Sequence, residues 1–249
     1  MPHTHASPET IRVDAIIQCA MDMEARPLLD ALTPPADGRA TSASGLHDRH
    51  QQHFAHGDLD GHPVLVVTSG IGLANAAAAT ARALALVDAP IVIAAGTTGG
   101  LARDINVGDI AAGISTIYGA ADATAFGYER GQIPRMPVDY AASETAIARL
   151  DALAERIDHD VRRGRVISSD FFATPPFADT MRADFPDAIA TDMETCAMAQ
   201  IAWSAGVDWI SLRAVSDLAG PGADQAFHMD GERAAEHSAR AVRAYLDLC

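Results

Sequence analysis

Apolar runs alternate with polar or glycine-rich steps along the chain, and this alternation predicts strands followed by helices or loops. Residues 12–19 form an apolar run that leads into Asp22-Met23-Glu24, which is typical of a buried strand followed by a helix with acids in its first turn. Residues 53–59 and 62–68 flank Asp60-Gly61, a strong signal for a two-residue β-hairpin. The first third of the chain therefore predicts a strand, a helix and a hairpin, with a loop over residues 33–45 between the helix and the hairpin.

The same alternation continues to the end of the chain. Residues 90–95 and 107–118 predict buried strands, a helix over 75–86 precedes them, and a loop follows over 119–140. A layered α/β fold with functional groups at the ends of its strands is the expected result. Further predicted elements are a helix at 141–157, a strand at 165–168, a helix at 177–184, a helix at 193–205, a strand at 209–215 and an amphipathic helix at 231–248.

Composition and charge narrow the classes of function. The 249 residues include 33 acidic and 18 basic side chains, all of the latter arginine, for a formal net charge of −15. Such an acidic surface repels phosphate backbones and anionic lipid, so neither nucleic acid nor a membrane surface is an expected partner. No run reaches the roughly 18 apolar residues of a membrane-spanning helix, and residues 1–12 lack the apolar core of a signal peptide.

Length and cysteine content bound the organisation and the compartment. A chain of this length fits one α/β domain, so we expect a single domain over residues 1–249, with residues 1–11 as a disordered extension. The three cysteines, Cys19, Cys196 and Cys249, form neither a C-x-x-C motif nor an even set. These features predict a cytoplasmic protein with reduced thiols.

Four segments share one pattern, in which an apolar strand ends and a polar or glycine-rich step follows. They are residues 20–24, 69–72, 96–100 and 213–217. Because strand ends converge on one crevice in open α/β sheets, we expect all four segments to line a single pocket.

Several acids in or near these segments also have purely structural interpretations. Glu24 is placed to interact with a helix dipole, and Asp217 with Ser216 is placed to cap a helix or form an Asx turn. Asp192 and Glu194 lie two residues apart at a predicted helix start, so they cannot share a face. We expect Asp192 to cap the helix and Glu194 to project into the site.

The glycine loops and the histidines carry weaker signals. Residues 69–75 come close to a dinucleotide-binding fingerprint but have Asn75 at the third glycine position, and neither loop has the Gly-Lys-Ser/Thr of a P-loop. His47, His50, His53 and His56 recur every three residues, a spacing that presents no single ligand set on a helix or a strand. We therefore predict surface imidazoles, no metal site and no cofactor.

Taken together, the motifs resemble those of 5′-methylthioadenosine/S-adenosylhomocysteine nucleosidases, in the purine nucleoside and uridine phosphorylase superfamily. The resemblance implies a three-layer α/β/α sandwich around a central mixed, twisted sheet. It begins near Val13 and runs to the C-terminal helix. Its carriers are Ala20-Met21-(x)2-Glu24, Ser69-Gly70-Ile71-Gly72, residues 96–101, Val107-Gly108-Asp109-Ile110, residues 122–128 with Gly131-Gln132, Met193-Glu194 and Arg213-Ala214-Val215-Ser216-Asp217.

The resemblance implies cleavage of the N-glycosidic bond of an adenine nucleoside. It gives protonation of the leaving adenine at N7 to Asp217, which Ser216 holds. Glu194, with the Met193 backbone, would stabilise the ribosyl cation. Glu24 would orient and deprotonate the attacking water, with help from Arg213 and Thr97.

Further binding residues are implied in the same way. Phe172 would stack on the adenine, and the Ala173 backbone would read the edge of the purine. An apolar pocket for the 5′-alkylthio group would be formed by Met21, Ile71, Met193 and Phe227. A loop with Ala123, Phe126 and Pro134 would reach into the pocket of a neighbouring subunit, which implies a homodimer.

Water is the expected nucleophile rather than phosphate. Phosphorylases of this fold carry arginines at the first strand turn and before the middle glycine loop, where this chain has residues 22–24 and Ala94-Ala95; like-charge repulsion by the acids disfavours a phosphate dianion. The alternatives are a nucleoside phosphorylase, an aminofutalosine-type hydrolase and a non-catalytic adenine-nucleoside binding module. Thr97-Thr98, Ala123 and Ala173 depart from the family pattern, and the smaller side chains could admit a bulkier 5′ group.

Overall fold

The computed structural model describes residues 11–35 and 52–249, except for the side chains of residues 228 and 229. Its strands are β1 (Ile11–Arg12), β2 (Ala15–Cys19), β3 (His53–Leu59), β4 (His62–Thr68), β5 (Val87–Asp88), β6 (Ile91–Ala94), β7 (Thr97–Gly100), β8 (Ile110–Tyr118), β9 (Tyr140–Ala141), β10 (Val161–Ser168), β11 (Ala188–Asp192) and β12 (Asp208–Asp217). The helices are α1 (Asp22–Leu29), α2 (Leu73–Leu86), α3 (Glu144–Ala154), α4 (Phe177–Asp184), α5 (Thr195–Ala205) and α6 (Ala223–Leu246), with a 3₁₀ turn at Thr124–Phe126.

Ten of these strands form a mixed sheet in the order β3-β4-β2-β6-β12-β7-β11-β10-β8-β9. Strands β4, β2, β6 and β12 run parallel, whereas β7 and β11 are antiparallel to each other. The predicted mixed central sheet of an α/β fold is thus confirmed. Helices α1, α3 and α6 contact one another or β12, and α2 packs on α5, so the sheet lies between two groups of helices.

Strand β12 also closes part of the sheet on itself, which the sequence pattern did not predict. It pairs with β7 in parallel through residues 214–217 and with β8 in antiparallel through residues 211–214. Because β7, β11, β10 and β8 are neighbours in turn, these strands form a closed ring with β12. The ring leaves the final residues of β12 next to the end of β7.

The hydrophobic core draws on nearly the whole described chain. Its largest cluster runs from Val13 in the first strands to Leu246 in the last helix, and β2 is buried at every position. Trp209 and Tyr245 are among its largest fully buried side chains. Within the described residues, no helix is both long enough and apolar enough to span a membrane.

Most predicted elements are confirmed, and the β3–β4 hairpin has the predicted bounds. Its turn residues, Asp60 and Gly61, both have positive φ, as the Asp-Gly pair predicts. Helix α4 also has the predicted bounds, at Phe177–Asp184.

Several predictions of secondary structure were wrong. The short strands β1, β5 and β9 were not predicted, and β8 begins at Ile110 rather than Val107. Residues 97–100 were expected in a loop but form β7, because β11 and β12 supply partners on both sides. Strand β11 was missed, since residues 188–192 lack a clear alternating pattern and lie next to the predicted helix. Helix α6 begins at Ala223, eight residues before the predicted start, and β10 begins at Val161 rather than Arg165.

The N-terminal prediction is wrong at one position and lies outside the described residues at the others. Ile11 belongs to β1, which pairs in parallel with β5 through Ile11 and Val87, so it is not part of a disordered extension. Residues 1–10 lie outside the described residues, as do residues 36–51, which include His47 and His50. Thr33, at the start of the predicted loop, forms a bridge with Asp58.

Candidate active site

One cavity collects the ends of the strands that carry the four predicted motifs, as expected from the sequence. The four predicted catalytic residues, Glu24, Glu194, Arg213 and Asp217, all line it. The eight predicted substrate-binding residues line it as well: Met21, Ile71, Thr97, Phe172, Ala173, Met193, Ser216 and Phe227. Their chemical roles stay predictions.

Glu24 is held at the start of α1 by the chain that leads into the helix. One carboxylate oxygen, Oε2, accepts hydrogen bonds from the backbone N–H groups of Ala20 at 2.9 Å and Met21 at 3.1 Å. The other oxygen, Oε1, accepts from the N–H and the hydroxyl of Thr97, both at 2.7 Å. Glu24 therefore has the structural role considered from the sequence, as a first-turn acid, and also lies in the cavity.

Gly96 allows this close approach between the first helix and the middle strand. Its φ is +117°, and a Cβ atom at this position would lie 2.4 Å from Cδ of Glu24. Any side chain here would push the Glu24 carboxylate away from Thr97. Gly96 is thus required by the packing of the site.

Arg213 stands at the centre of a buried cluster of charges. Its Nη2 lies 3.2 Å from Oε2 of Glu194, its Nε 3.2 Å from Oδ2 of Asp192, and its Nη1 3.8 Å from Oε1 of Glu24. Nη1 also donates to the Thr97 carbonyl at 3.0 Å. The guanidinium is 2 % exposed, and the three carboxylates raise its pKa, against the effect of burial.

Asp192 lies two residues before the N-cap of α5, which is Glu194 and not Asp192 as predicted. Its Oδ1 still accepts hydrogen bonds from the N–H groups of Glu194 at 3.2 Å and Thr195 at 3.1 Å. It also accepts from the Ser168 hydroxyl at 2.6 Å, while Oδ2 contacts Arg213. Because Asp192 belongs to the end of β11 and not to the helix, the helical spacing argument does not keep it away from Glu194.

Glu194 connects the charge cluster to the loop before α2. Its Oε1 accepts a hydrogen bond from the Gly72 N–H at 2.8 Å, and Gly72 has a φ of +103°. Burial raises the pKa of the Glu194 carboxyl to about 7, against the opposing effect of Arg213. Three buried acids share one guanidinium, so a proton is held more readily here than on an exposed glutamate.

Asp217 is the last residue of β12, the strand that carries Arg213, and has no cationic partner among the described residues. Its Oδ2 accepts from the Ser216 hydroxyl at 3.0 Å, and its Oδ1 accepts from the Ala219 N–H at 2.9 Å. Burial raises the pKa of the carboxyl, while these two hydrogen bonds lower it. Asp217 follows Arg213 by four positions along β12, which corresponds to roughly 13 Å in a fully extended strand.

The register of β7 against β12 determines which residues lie at each end of the cavity. Thr97 lies opposite Ala214, beside the Arg213 cluster, and Gly99 lies opposite Asp217. The cavity floor therefore runs from a cluster of three carboxylates around one guanidinium at one end to a single buried carboxyl at the other.

Aromatic side chains form one wall. The rings of Phe172 and Phe227 meet edge to face, with centroids 6.0 Å apart, and Phe172 is 42 % exposed. Phe171, which packs on Phe177 at 4.7 Å, also lines the cavity. An open aromatic face of this kind is suited to a planar base.

The residues predicted to serve a neighbouring subunit do not line this cavity. Ala123, Phe126 and Pro134 are absent from its lining, and the Phe126 side chain is 84 % exposed. The described residues contain no group of three or more His, Cys, Asp or Glu side chains arranged to hold a metal ion.

Sequence reasoning missed several lining residues. Thr98 and Gly99 lie inside a predicted segment, so the strand pattern could have found them. Thr191 and Asp192 depend on β11, and Asp224 on the early start of α6, neither of which was predicted. Ala20, Thr98 and Gly99 line the cavity within segments expected to do so, although they were not singled out, and the lining residues outside those segments are Phe171, Thr191, Asp192 and Asp224.

Comparison with known proteins places these features in one family. The family model described as the phosphorylase superfamily matches residues 14–247. A 5′-methylthioadenosine/S-adenosylhomocysteine nucleosidase from Anoxybacillus flavithermus is 38 % identical over 192 residues, which cover 76 % of this chain and 83 % of the relative.

Solved structures of similar proteins agree with the sequence relatives. The nucleosidase from Colwellia psychrerythraea in complex with adenine superimposes with a TM-score of 0.85 at 30 % identity, covering 96 % of this chain and 97 % of that one. The nucleosidase from Neisseria meningitidis in complex with methylthio-immucillin-A gives a TM-score of 0.82 at 30 % identity, with coverages of 94 % and 99 %.

Proposed function

The chain belongs to the phosphorylase superfamily, and within it we propose that the protein hydrolyses the N-glycosidic bond of 5′-substituted adenosines. Adenine and the free 5-substituted ribose are the products, with methylthioadenosine and S-adenosylhomocysteine as substrates. The observation that carries the proposal is the cavity itself, which has a buried carboxyl of raised pKa at one end and a carboxylate cluster at the other.

Asp217 serves as the general acid in this proposal. Adenine is a poor leaving group until its ring is protonated, and the family pattern directs that proton to N7. Burial raises the pKa of Asp217, so its carboxyl holds a proton more readily than an exposed aspartate does. Ser216 and the Ala219 N–H fix the orientation of the carboxyl, since each contacts a different oxygen.

Glu24 and Glu194 serve the ribosyl group and the water. The bond breaks through a cation-like ribosyl transition state, which nearby negative charge and anchored hydroxyls stabilise. Glu194 lies beside Met193 in the cavity lining and is proposed for that role. Glu24, in contact with Thr97 and close to Arg213, is proposed to orient the water and take its proton.

Water is a better nucleophile than phosphate for this cavity. Arg213 is the one cation among the described residues that line it, and three carboxylates already surround its guanidinium. The lining also contains five acids: Glu24, Asp192, Glu194, Asp217 and Asp224. A phosphate dianion would meet net negative charge without a free arginine to hold it.

The remaining contacts of the substrate follow from the lining. Phe172 offers an open ring face for the adenine, with the Ala173 backbone at the purine edge. Met21, Ile71, Met193 and Phe227 provide apolar surface for the 5′ substituent. None of the proposed steps requires a cofactor.

The proposal includes a cytoplasmic homodimer. An exposed phenylalanine such as Phe126 gains stability when it is covered, and with Ala123 and Pro134 it would complete the pocket of the second subunit. The three free cysteines, Cys19, Cys196 and Cys249, fit a reducing compartment. Sedimentation of the purified protein as a dimer, and as a monomer after Phe126→Asp, would support this part.

Product analysis tests the proposed activity. The protein is incubated with methylthioadenosine in the presence and absence of phosphate, and adenine and the sugar products are followed by chromatography and mass spectrometry. The proposal predicts adenine and free methylthioribose at the same rate in both buffers. Sugar 1-phosphate formed only with phosphate would identify a phosphorylase, and tight binding without turnover would identify a binding module.

A further inference from the structure

An arginine outside the cavity bridges the ends of the two strands that carry its floor. Arg182 lies on α4 with its side chain 34 % exposed. Its Nε donates to the Leu101 carbonyl at 3.0 Å, and its Nη2 donates to the Leu218 carbonyl at 2.9 Å and reaches the Gly100 carbonyl at 3.5 Å. The side chain does not line the cavity, and sequence reasoning did not select it.

These carbonyls lie where the pairing of β7 with β12 stops. The parallel ladder ends at Gly99 and Asp217. The next carbonyls along the two strands are those of Gly100 and Leu218, and both face Arg182. The planar fork of N–H donors therefore continues the connection between the strands beyond their last backbone pair.

The contact to Leu218 bears directly on Asp217. The Leu218 carbonyl and the Ala219 N–H belong to one planar peptide unit, so holding one fixes the direction of the other. That N–H donates to Oδ1 of Asp217 at 2.9 Å. Ala219 is fully buried and has a φ of +48°, a conformation that persists in a non-glycine residue only where its surroundings hold it.

We propose that Arg182 is a positioning residue for proton transfer to the leaving base, acting through the Leu218–Ala219 peptide on Asp217. The inference rests on the proposed function, because it takes Asp217 as the general acid. Arg182 touches neither the substrate nor the reacting atoms. It holds the peptide that orients the acid and polarises its amide, which makes the N–H a better donor.

Loss of Arg182 has two consequences of different kinds. The Leu218–Ala219 peptide is freed to rotate, so the carboxyl is less well oriented and kcat falls. The Asp217 carboxylate also loses a donor, so its charged form is less stabilised and its pKa rises. Because a general acid is active while protonated, the decline of kcat at high pH then moves to higher pH.

Among the other ionisable groups near Arg182, one contacts it and loses that contact when Arg182 is replaced. Asp179, on the same helix, is paired with Arg182 at 3.4 Å and is largely exposed. The remaining ionisable groups of the cavity contact one another or solvent and not Arg182; they are Glu24, Asp192, Glu194, Arg213 and Asp224.

The test compares Arg182→Ala and Arg182→Lys with Arg240→Gln, in which an exposed arginine paired with Glu236 on α6 is removed. The pH dependence of kcat is measured with methylthioadenosine. We expect Arg182→Ala to lower kcat about tenfold, a part of what a general acid contributes, and to move the high-pH decline upward. Arg182→Lys should change both quantities in the same directions but less. Arg240→Gln should change neither kcat nor the pH of the decline.

Chemical rescue adds a second readout. Methylguanidinium at concentrations that do not unfold the protein should restore kcat and the original pH profile of Arg182→Ala, whereas methylammonium should not. An unmoved high-pH decline in both Arg182 variants would overturn the proposal, whatever the loss of rate, since a purely structural arginine lowers the amount of active enzyme without changing its pH profile. If Arg182→Ala does not fold, the profile of Arg182→Lys decides.

Adenine release by the wild-type protein distinguishes a failure of this inference from a failure of the proposed function. A wild-type protein that releases no adenine would contradict the proposed function. Adenine release by the wild-type protein, with an unmoved profile in the Arg182 variants, would contradict only the role of Arg182.

Discussion

The two ends of the cavity differ in how they compensate buried charge. Around Arg213, three carboxylates share one guanidinium, and Glu24 alone accepts four hydrogen bonds. At the other end, Asp217 has only two neutral donors, from Ser216 and Ala219, and burial raises its pKa.

In the proposed mechanism, the two ends of the cavity have opposite functions. A nearby cation and several donors stabilise a charged carboxylate, and Glu24 has both. Glu194, in the same cluster, has a pKa that burial raises to about 7. A carboxyl that must deliver a proton needs burial and few donors. Arg213 and Asp217 both belong to β12, so the fold separates the two requirements by four residues of strand. Four substitutions test this comparison.

The largest effect is expected for Asp217→Asn. The amide oxygen can still accept from the Ala219 N–H, and the amide N–H can donate to Ser216, so the fold should be kept while the transferable proton is lost. We expect kcat for methylthioadenosine to fall about 10³-fold. Stopped-time assays of adenine release measure this loss, and calorimetric binding of methylthioadenosine checks that the pocket is intact. Near-normal turnover would remove Asp217 from the role of acid.

Glu24→Gln should have a mixed effect on rate and stability. The variant loses the proposed base, so we expect kcat to fall about 10²-fold. One oxygen becomes an NH₂ group that faces N–H donors, and this should lower the free energy of unfolding by about 2 kcal/mol. Urea unfolding of Glu24→Gln and of Asp217→Asn under the same conditions compares their free energies of unfolding. Equal stability of the two variants would contradict the claim that the hydrogen bonds accepted by the charged Glu24 stabilise the fold more than those of Asp217 do.

Glu194→Gln should change how stability depends on pH. The folded-state pKa of Glu194 is raised from 4.5 to about 7, so its contribution to stability is fully present below about pH 4.5 and is lost as the pH rises through about 7. This contribution is on the order of 3 kcal/mol.

The measurement for Glu194→Gln is urea unfolding from about pH 5 to 8. The wild type should lose stability across this interval, and the variant should lose less, because glutamine does not titrate. The slope is the informative quantity, since glutamine also changes the contacts to Arg213 and Gly72 at every pH. Identical slopes would show that Glu194 does not titrate abnormally.

Ser216→Ala should have the smallest effect of the four. One donor to the Asp217 carboxylate is lost, and such a hydrogen bond contributes about 1 kcal/mol, so we expect kcat to fall about fivefold. The pKa of Asp217 should rise further, because the charged form loses a partner, and the high-pH decline of kcat should move upward. A decline that moved to lower pH would mean that the hydroxyl stabilises the protonated form instead.

Much of the site could be predicted from the sequence because the motifs coincide with strand ends. The steps at residues 20–24, 69–72, 96–100 and 213–217 each follow an apolar run, and local pattern is sufficient to find them. That they meet in one cavity follows from the general rule for α/β sheets. The family resemblance then selected Phe172 and Phe227, which no pattern of spacing would have chosen.

The parts that could not be predicted depend on contacts between segments distant in sequence. Residues 97–100 look like a glycine loop and become a strand only because β11 and β12 lie on either side. Asp192 looks like a helix cap and meets Arg213 only because β11 exists. Arg182 looks like a surface arginine, and its three carbonyl partners come from two other segments. The single-domain organisation over residues 1–249 stays a prediction.

A substrate whose leaving group needs no proton tests most directly whether the two ends of the cavity have separate catalytic roles. In the nitrophenyl glycoside of 5-methylthioribose, the leaving group is nitrophenolate, which is a stable anion. Hydrolysis of this glycoside therefore still requires the water and the ribosyl contacts but not a general acid. We predict that Asp217→Asn hydrolyses this glycoside at a rate close to that of the wild type while losing its activity on methylthioadenosine, and that Glu24→Gln loses activity on both. Equal losses of Asp217→Asn on both substrates would contradict the assignment of the two ends.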